Sequence, residues 1–249
     1  MEYRGPNAYD QEAFFSNYMK RRSRKDSPNQ AIETPIIYEL LGDFQDQTIL
    51  DIGCGDASFG KELLEKGAAS YTGIEGSRQM AEAAKENLAS LNGEVLHFTM
   101  EAYDYPEHTY DIITSRFVIH YAACLEELFQ NIHQSLKEVG RFIFSVQHPL
   151  TTASFLSKKE GDRRGNWIVD DYFIEGERKE PWLNETVVKY HRTVEHYFSS
   201  LTHAGFTVTN LREGKPERKN FTDETEYERR LRIPVVLAFS CVKSATLHT

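Results

Sequence analysis

Apolar positions along the chain change period several times, and each change marks an element. Tyr9, Phe14, Phe15, Tyr18 and Met19 fall at helical spacing and lead into a basic run from Lys20 to Lys25. That predicts an amphipathic helix over 9–24 ending in a charged, solvated turn. Ser27-Pro28-Asn29 breaks it, and a second helix is expected over about 32–41, with Pro35 in its first turn. From Thr48 the pattern alternates. Short apolar runs at 49–52, 71–75, 95–98, 110–114 and 141–146 read as buried strands, and 59–66, 78–91 and 125–136 read as helices between them. This alternation implies parallel strands with crossover helices, a doubly wound α/β sheet.

The rhythm stops at 151–189, where Trp167, Tyr172, Phe173 and Trp182 are scattered among charges. This stretch reads as an insertion covering one end of the sheet. A helix over about 193–204, a strand at 206–209, a polar loop over 213–230 and a last strand over 233–242 complete the chain, giving seven strands. No internal repeat or low-complexity tract is apparent.

The 249 residues suit one α/β domain with a modest insertion. The net charge of −9 disfavours a dedicated nucleic-acid binder, since neutralising phosphates takes the opposite sign. The cysteines are Cys54, Cys124 and Cys241, an odd and widely spaced set that forms neither a disulfide framework nor a metal motif. The N-terminus lacks the apolar core of a signal peptide, and no run is long enough for a membrane span. A reduced, cytoplasmic protein without membrane partners is therefore expected.

Candidate chemistry centres on Ile49-Leu50-Asp51-Ile52-Gly53-Cys54-Gly55-Asp56. A buried strand ends in a glycine turn that opens a helix, so backbone can approach a ligand without Cβ atoms in the way. Glu75 ends the next strand, twenty residues after Gly55, where an acid can accept hydrogen bonds from both hydroxyls of a ribose. A dinucleotide fingerprint needs a third glycine, and Ser58 stands there instead. Asp51 would repel a pyrophosphate but suits an ammonium. A phosphate-free nucleoside with an amino-acid tail, S-adenosylmethionine, satisfies both acids.

These residues resemble the first motif of class I S-adenosylmethionine-dependent methyltransferases. The chain is similar to the large type 11 group, which includes ubiquinone- and menaquinone-pathway enzymes and many natural-product methyltransferases. The resemblance covers roughly 32–140. It implies a mostly parallel seven-stranded Rossmann-like sheet, with a helical lid over 1–45, a cofactor-binding core over 46–150, a substrate-cap insertion over 151–190 and a return to the core over 191–249. It implies cofactor contacts from Asp51, Gly53, Cys54 and Gly55, and from Glu75, Gly76, Ser77 and Met80. Met100-Glu101-Ala102 matches the segment that contacts adenine, and Arg116-Phe117 the loop beneath the cofactor. Leu136-Lys137-Glu138-Val139-Gly140-Arg141 resembles the turn into strand five, with Val139 in place of a glycine at the surface. The flanks are similar to a narrower subgroup, in which Tyr18 and Arg22 close on the methionine end of the cofactor; a surface helix with a basic tail is the other reading of the same residues.

Displacement at a sulfonium methyl needs alignment and exclusion of water. A base helps when the acceptor is a hydroxyl or a protonated amine, and histidine suits that task. The candidates are His148, at the carboxyl end of strand five, and His191, with Tyr190 as an orienting group; each histidine could equally be structural. Gln147 stands where the subgroup often has Glu. His120 reads as a pocket wall and Cys54 as a space-filler. The rings of Trp167, Tyr172, Phe173 and Trp182 could line an acceptor pocket or form a small core of their own. Lys158, Lys159, Arg163 and Arg164 could hold an anionic substrate, but a solvated loop is the simpler reading. Methyl transfer to a small molecule is the expected function, with no metal. The alternatives are a nicotinamide-dependent oxidoreductase, a non-catalytic cofactor-binding protein on the same fold, and a methyltransferase acting on RNA or protein. The acceptor and the oligomeric state are not legible.

Overall fold

A computed structural model describes residues 2–155, 166–183 and 185–244. The chain starts with a short strand, β1 (Glu2–Arg4), a 3-10 turn over Gly5–Ala8, and helix α1 (Glu12–Arg22). A wide π-helical turn, Asn29–Glu33, runs directly into α2 (Thr34–Leu41), and Pro35 stands just where the winding changes from π to α, next to the turn whose wider spacing relieves a proline's crowding of the preceding carbonyls.

The alternating core follows: β2 (Thr48–Ile52), α3 (Ser58–Glu65), β3 (Ser70–Ile74), α4 (Arg78–Leu88), β4 (Gly93–Leu96), β5 (Tyr110–Arg116), α5 (Leu125–Ser135) and β6 (Leu136–Gln147). After the short α6 (Pro149–Thr152) come β7 (Gly176–Trp182), β8 (Glu185–His191), α7 (Val194–His203), β9 (Phe206–Glu213), α8 (Glu224–Leu231) and β10 (Val236–Lys243). The main sheet has seven strands in the order β4-β3-β2-β5-β6-β10-β9. Only β10 runs against its neighbours. This is the mostly parallel, doubly wound sheet expected.

Both faces of that sheet are covered, which is why its strands read as continuous apolar runs. On one face Leu50, Ile113, Phe142, Phe144 and Phe239 pack against Phe129 and Ile132 of α5 and Tyr197 and Leu201 of α7. On the other, Ile49, Ile112, Ile143 and Ala238 pack against Ile37 and Leu41 of α2, Leu63 of α3 and Ala84 of α4. Adjacent residues such as Ile112 and Ile113 therefore serve opposite layers. The chain winds outward in one direction from β2 and in the other from β5. The crevice where it reverses, at the carboxyl ends of these two neighbours, is where open α/β sheets bind ligands.

Two segments differ from expectation. The insertion contains a hairpin, β7–β8, and β1 pairs in parallel with β8 through Tyr3 and Val187 to make a second, three-stranded sheet. That pairing joins two segments far apart in the chain with no local signal in common. The polar stretch 213–230 contains the start of α8, whose Asp223 cap accepts the Thr225 N–H. Its inward side chains are the charged Glu226 and Arg230, so hydropathy does not reveal it. In addition, β6 already begins at Leu136, with an irregularity in its pairing to β5. Val139 is 87% exposed, as a surface position should be. Lys158, Lys159, Arg163 and Arg164 lie outside the described residues.

Candidate functional site

Gly53 N–H and Cys54 N–H both donate to the Ile74 carbonyl, at 2.8 and 3.1 Å, tying the end of β2 to that of β3. The turn needs φ of +70° at Gly53 and +60° at Gly55. A Cβ on Gly53 would lie 2.3 Å from Val118 Cγ2, and one on Gly55 would lie 2.9 Å from Arg22 Nη1. The left-handed backbone favours glycine at both positions, and at Gly53 the packing of Val118 excludes a Cβ as well.

The two acids anchor the turn. Glu75 Oε2 accepts the Gly55 N–H and Oε1 accepts the Ser77 N–H, both at 2.8 Å. Asp51 accepts the Tyr71 hydroxyl at 2.8 Å and the Thr114 hydroxyl at 2.9 Å. Burial raises the pKa of both carboxyls, against the hydrogen bonds that lower it. Each keeps acceptor capacity for a further donor. Cys54 fills the space under Gly73, and burial pushes its thiol pKa well up, so it has no nucleophilic character.

A cavity of about 1040 Å³ opens over this turn. Of the expected cofactor contacts, Tyr18, Arg22, Asp51, Gly53, Cys54 and Gly55 line it, as do Glu75, Gly76, Met80, Met100, Glu101, Arg116 and Phe117. Two do not. Ser77 is fully buried, capping α4 and donating to Asp10 at 2.7 Å, and Ala102 is exposed outside the cavity. Arg22 pairs with Asp56 at 3.1 Å. Arg116 lines the wall, but its guanidinium is held by Glu33 and by Thr34 Oγ1 (2.7 Å), over the Phe59 ring.

The three catalytic candidates separate. His148 does not line the cavity: its Nδ1 accepts the Leu150 N–H as the cap of α6, and its Nε2–H donates to Glu213 at 3.0 Å. Pro149 opens a helix there, and capping that helix turns the ring away. His191 is also turned away, its Nε2–H donating to the Tyr172 carbonyl at 2.8 Å and its Nδ1 lying 2.6 Å from Thr152 Oγ1. Burial lowers the pKa of both rings, and with both nitrogens committed neither is placed to act as a base. Tyr190 does line the cavity.

Tyr9, Tyr121, Glu180 and Lys189 also line the cavity and were not assigned a site role from sequence, whereas Trp182 and His120 were offered as pocket walls. The hydroxyls of Tyr9 and Tyr121 lie 3.4 Å apart, and Trp182 packs edge-on against Tyr9, Phe14 and Tyr18. Lys189 and Glu180 form a buried ion pair, with the ammonium 4.7 Å from the Trp182 ring centre. His120 lines the wall; its Nδ1 accepts the Gln147 N–H at 3.4 Å, so the proton sits on Nε2. Burial, with Lys189 nearby, holds its pKa well below the usual range, and the ring is neutral. Of the insertion's rings, Trp167 and Trp182 line the cavity, whereas Phe173 is exposed and Tyr172 packs beside His191. The aromatic spacing of the first helix, the position of His120 after strand four and the insertion's tryptophans signalled part of this; Tyr121, Glu180 and Lys189 come together only through long-range pairing.

Residues 50–142 match the methyltransferase domain family. A chain from Listeria monocytogenes assigned as an S-adenosylmethionine-dependent methyltransferase is 32% identical and superposes with a TM-score of 0.78, covering 85% of this chain and 96% of its own. An S-adenosylmethionine-dependent methyltransferase from Mesorhizobium loti is 29% identical with a TM-score of 0.78, covering 86% and 99%. A Haemophilus influenzae protein of uncharacterised function is 33% identical over 224 residues, 83% of this chain and 85% of that one.

Proposed function

We propose, because this chain belongs to the class I S-adenosylmethionine-dependent methyltransferases, that it methylates a small molecule seated in the cavity beside Phe117, Tyr121 and Trp182. Family membership sets aside the nicotinamide reading. The observation that carries the acceptor class is the size and make-up of the cavity. At about 1040 Å³ it stands at the upper end of ligand pockets, which measure roughly 300–1,000 Å³, and it extends from the glycine turn to the rings of Tyr121 and Trp182. The wall facing the glycine turn comes from the turn after β1, from α1 and from β7–β8, in the manner of a lid and cap. An acidic chain is poorly suited to a nucleic-acid partner.

S-adenosylmethionine supplies a sulfonium methyl open to in-line displacement. The residues present fit it. The glycine turn leaves a cradle that Cβ atoms would fill, Glu75 retains lone pairs for ribose hydroxyls, Asp51 suits the ammonium and Arg22 the carboxylate. Val118 and Phe117 shape the floor, and the Tyr9, Tyr18 and Trp182 cluster excludes water from above. His120 offers a hydrogen-bond donor rather than a base. Tyr190 remains as the orienting group.

Incubation with methyl-labelled cofactor and a cell extract separated into small molecules, RNA and protein tests the acceptor class. Label is expected in the small-molecule fraction, and label confined to RNA or protein would overturn the reading. The cofactor residues have their own test. Ammonium binding lowers the raised Asp51 pKa, so binding releases a proton. Affinity for S-adenosylhomocysteine should rise with pH through the range above ordinary carboxylates and then level off. Asp51→Asn should weaken binding by roughly tenfold or more at neutral pH and flatten most of that rise, leaving the part that comes from Glu75. Identical calorimetric pH profiles for the two proteins would remove Asp51 from the ammonium site.

A further inference from the structure

Among the described residues, the outer end of the cavity holds more cations than acids, the acids being Glu180, Glu185 and Glu226. Lys189 pairs with Glu180, and Arg229 and Arg230 share Glu226 at 3.0 and 3.6 Å. Arg4, at the rim, pairs with Glu177. Lys20, Arg21 and Arg24 line the same space, and none of them makes an ion pair among the described residues. The excess is local, since the chain as a whole is at −9.

Adjacent positions on α1 divide the cavity between them. Arg22 points to the glycine turn, against Gly55 and Asp56. Arg21, ~100° round the helix from it, lines a different part of the same cavity. It lines the cavity together with Arg24, two residues past α1, Glu180 of β7, and Glu226 and Arg229 of α8; burial lowers its pKa, which Glu180 and Glu226 oppose and Arg24 and Arg229 reinforce. Among the described residues, three guanidiniums thus share one space with two carboxylates, Glu180 and Glu226, each already paired with a cation of its own. Such a grouping is costly unless an anion joins it. Guanidiniums suit an oxyanion, because their fork matches a carboxylate or phosphate and is weakly hydrated.

We propose that the methyl acceptor carries an acidic group, a carboxylate or a phosphate ester, seated against Arg21 with Arg24 and Arg229 beside it. This rests on the small-molecule reading above and narrows it. The acidic group orients the acceptor from the outer end, while the reacting atom lies toward Phe117 and Tyr121. Lys189 and Glu180, already paired, line the passage between.

The test uses the full chain with methyl-labelled cofactor and a small-molecule extract divided on an anion exchanger before the reaction. Label is expected from the retained pool. Phosphatase treatment of that pool distinguishes the two acids: lost label identifies a phosphate ester, surviving label a carboxylate, and either supports the proposal. Arg21→Gln and Arg24→Gln should each raise KM for the active pool roughly ten- to hundredfold with kcat little changed, and Arg21→Lys should restore part of the loss. Binding of S-adenosylhomocysteine should stay within about twofold of the parent, which shows that the variants are folded. Label only from the unretained pool, or an unchanged KM in both glutamine variants, would overturn the proposal while leaving small-molecule methylation standing. No label from either pool would instead overturn that underlying reading, and this proposal with it.

Discussion

Arg116→Met is expected to lower the melting temperature by about 6–20 °C. Glu33 is fully buried, and its carboxylate is held by the Arg116 guanidinium and by Ser145 Oγ at 2.8 Å. Removing the arginine leaves a buried charge with one neutral donor. Breaking such a pair costs about 3–5 kcal/mol, and in a domain of this size each kcal/mol shifts the midpoint by about 2–4 °C. Methionine keeps most of the packing on the Phe59 ring, so the loss should be electrostatic. The double variant Arg116→Met/Glu33→Leu should recover most of the midpoint, because an apolar pair of similar volume avoids burying any charge. If the single variant melts with the parent, or the double is no better than the single, the pair is not what holds this wall.

The consequence reaches the site because Glu33 belongs to the π-helical turn before α2, while Arg116 ends β5. Ser145, at the end of β6, bonds Glu33 and also accepts the Phe117 N–H at 3.1 Å. One buried carboxylate therefore fastens the N-terminal helices to two strand ends. Arg116, expected among the cofactor contacts, lines the cavity while its guanidinium is committed to this fastening. In the stabilised double variant, affinity for S-adenosylhomocysteine should fall less than about tenfold.

How much was legible follows from the range of each interaction. The alternation of strands and helices, the glycine turn and Glu75 are local features. Neighbouring residues specify them, and they appear close to where the pattern put them. Arg21 and Arg22 show the limit: both belong to one basic run, and only the docking of α1 aims one at Asp56 and the other at the outer end. His148 was correctly placed at a strand's carboxyl end, but helix capping by its own ring decided its direction. The β1–β8 pairing and the Lys189–Glu180 bridge depend on chain segments that carry no mark of each other. The inner face of α8 is an ion pair, and apolar periodicity cannot detect one.

Gly53→Ala should be the most damaging small change in the glycine turn, and Gly55→Ala a milder one, although both residues sit at positive φ. Each alanine pays about 1–2 kcal/mol for the left-handed backbone. What differs is the neighbour. At Gly53 the new methyl would meet Val118 at 2.3 Å from Cγ2, 2.8 Å from Cγ1 and 3.0 Å from Cβ. Valine is stiff about χ1, and Phe117 beside it already holds φ of +57°, so that loop has little room to yield. Overpacking of this kind adds about 1–3 kcal/mol. At Gly55 the neighbour is the end of the Arg22 side chain, 2.9 Å away, which can swing aside. The summed cost at Gly53, about 2–5 kcal/mol, corresponds to a midpoint lower by about 4–20 °C, and the displaced turn should weaken S-adenosylhomocysteine binding by roughly tenfold or more. Trimming Val118 to alanine in the Gly53→Ala background should return most of the packing share, since both Cγ contacts go, and leave the backbone share with the remaining 3.0 Å contact to the Val118 Cβ. Melting curves and calorimetry on the four proteins decide it. Equal losses for Gly53→Ala and Gly55→Ala, or no recovery on trimming Val118, would mean that backbone strain alone sets the requirement for glycine and that contact with the loop after β5 plays no part.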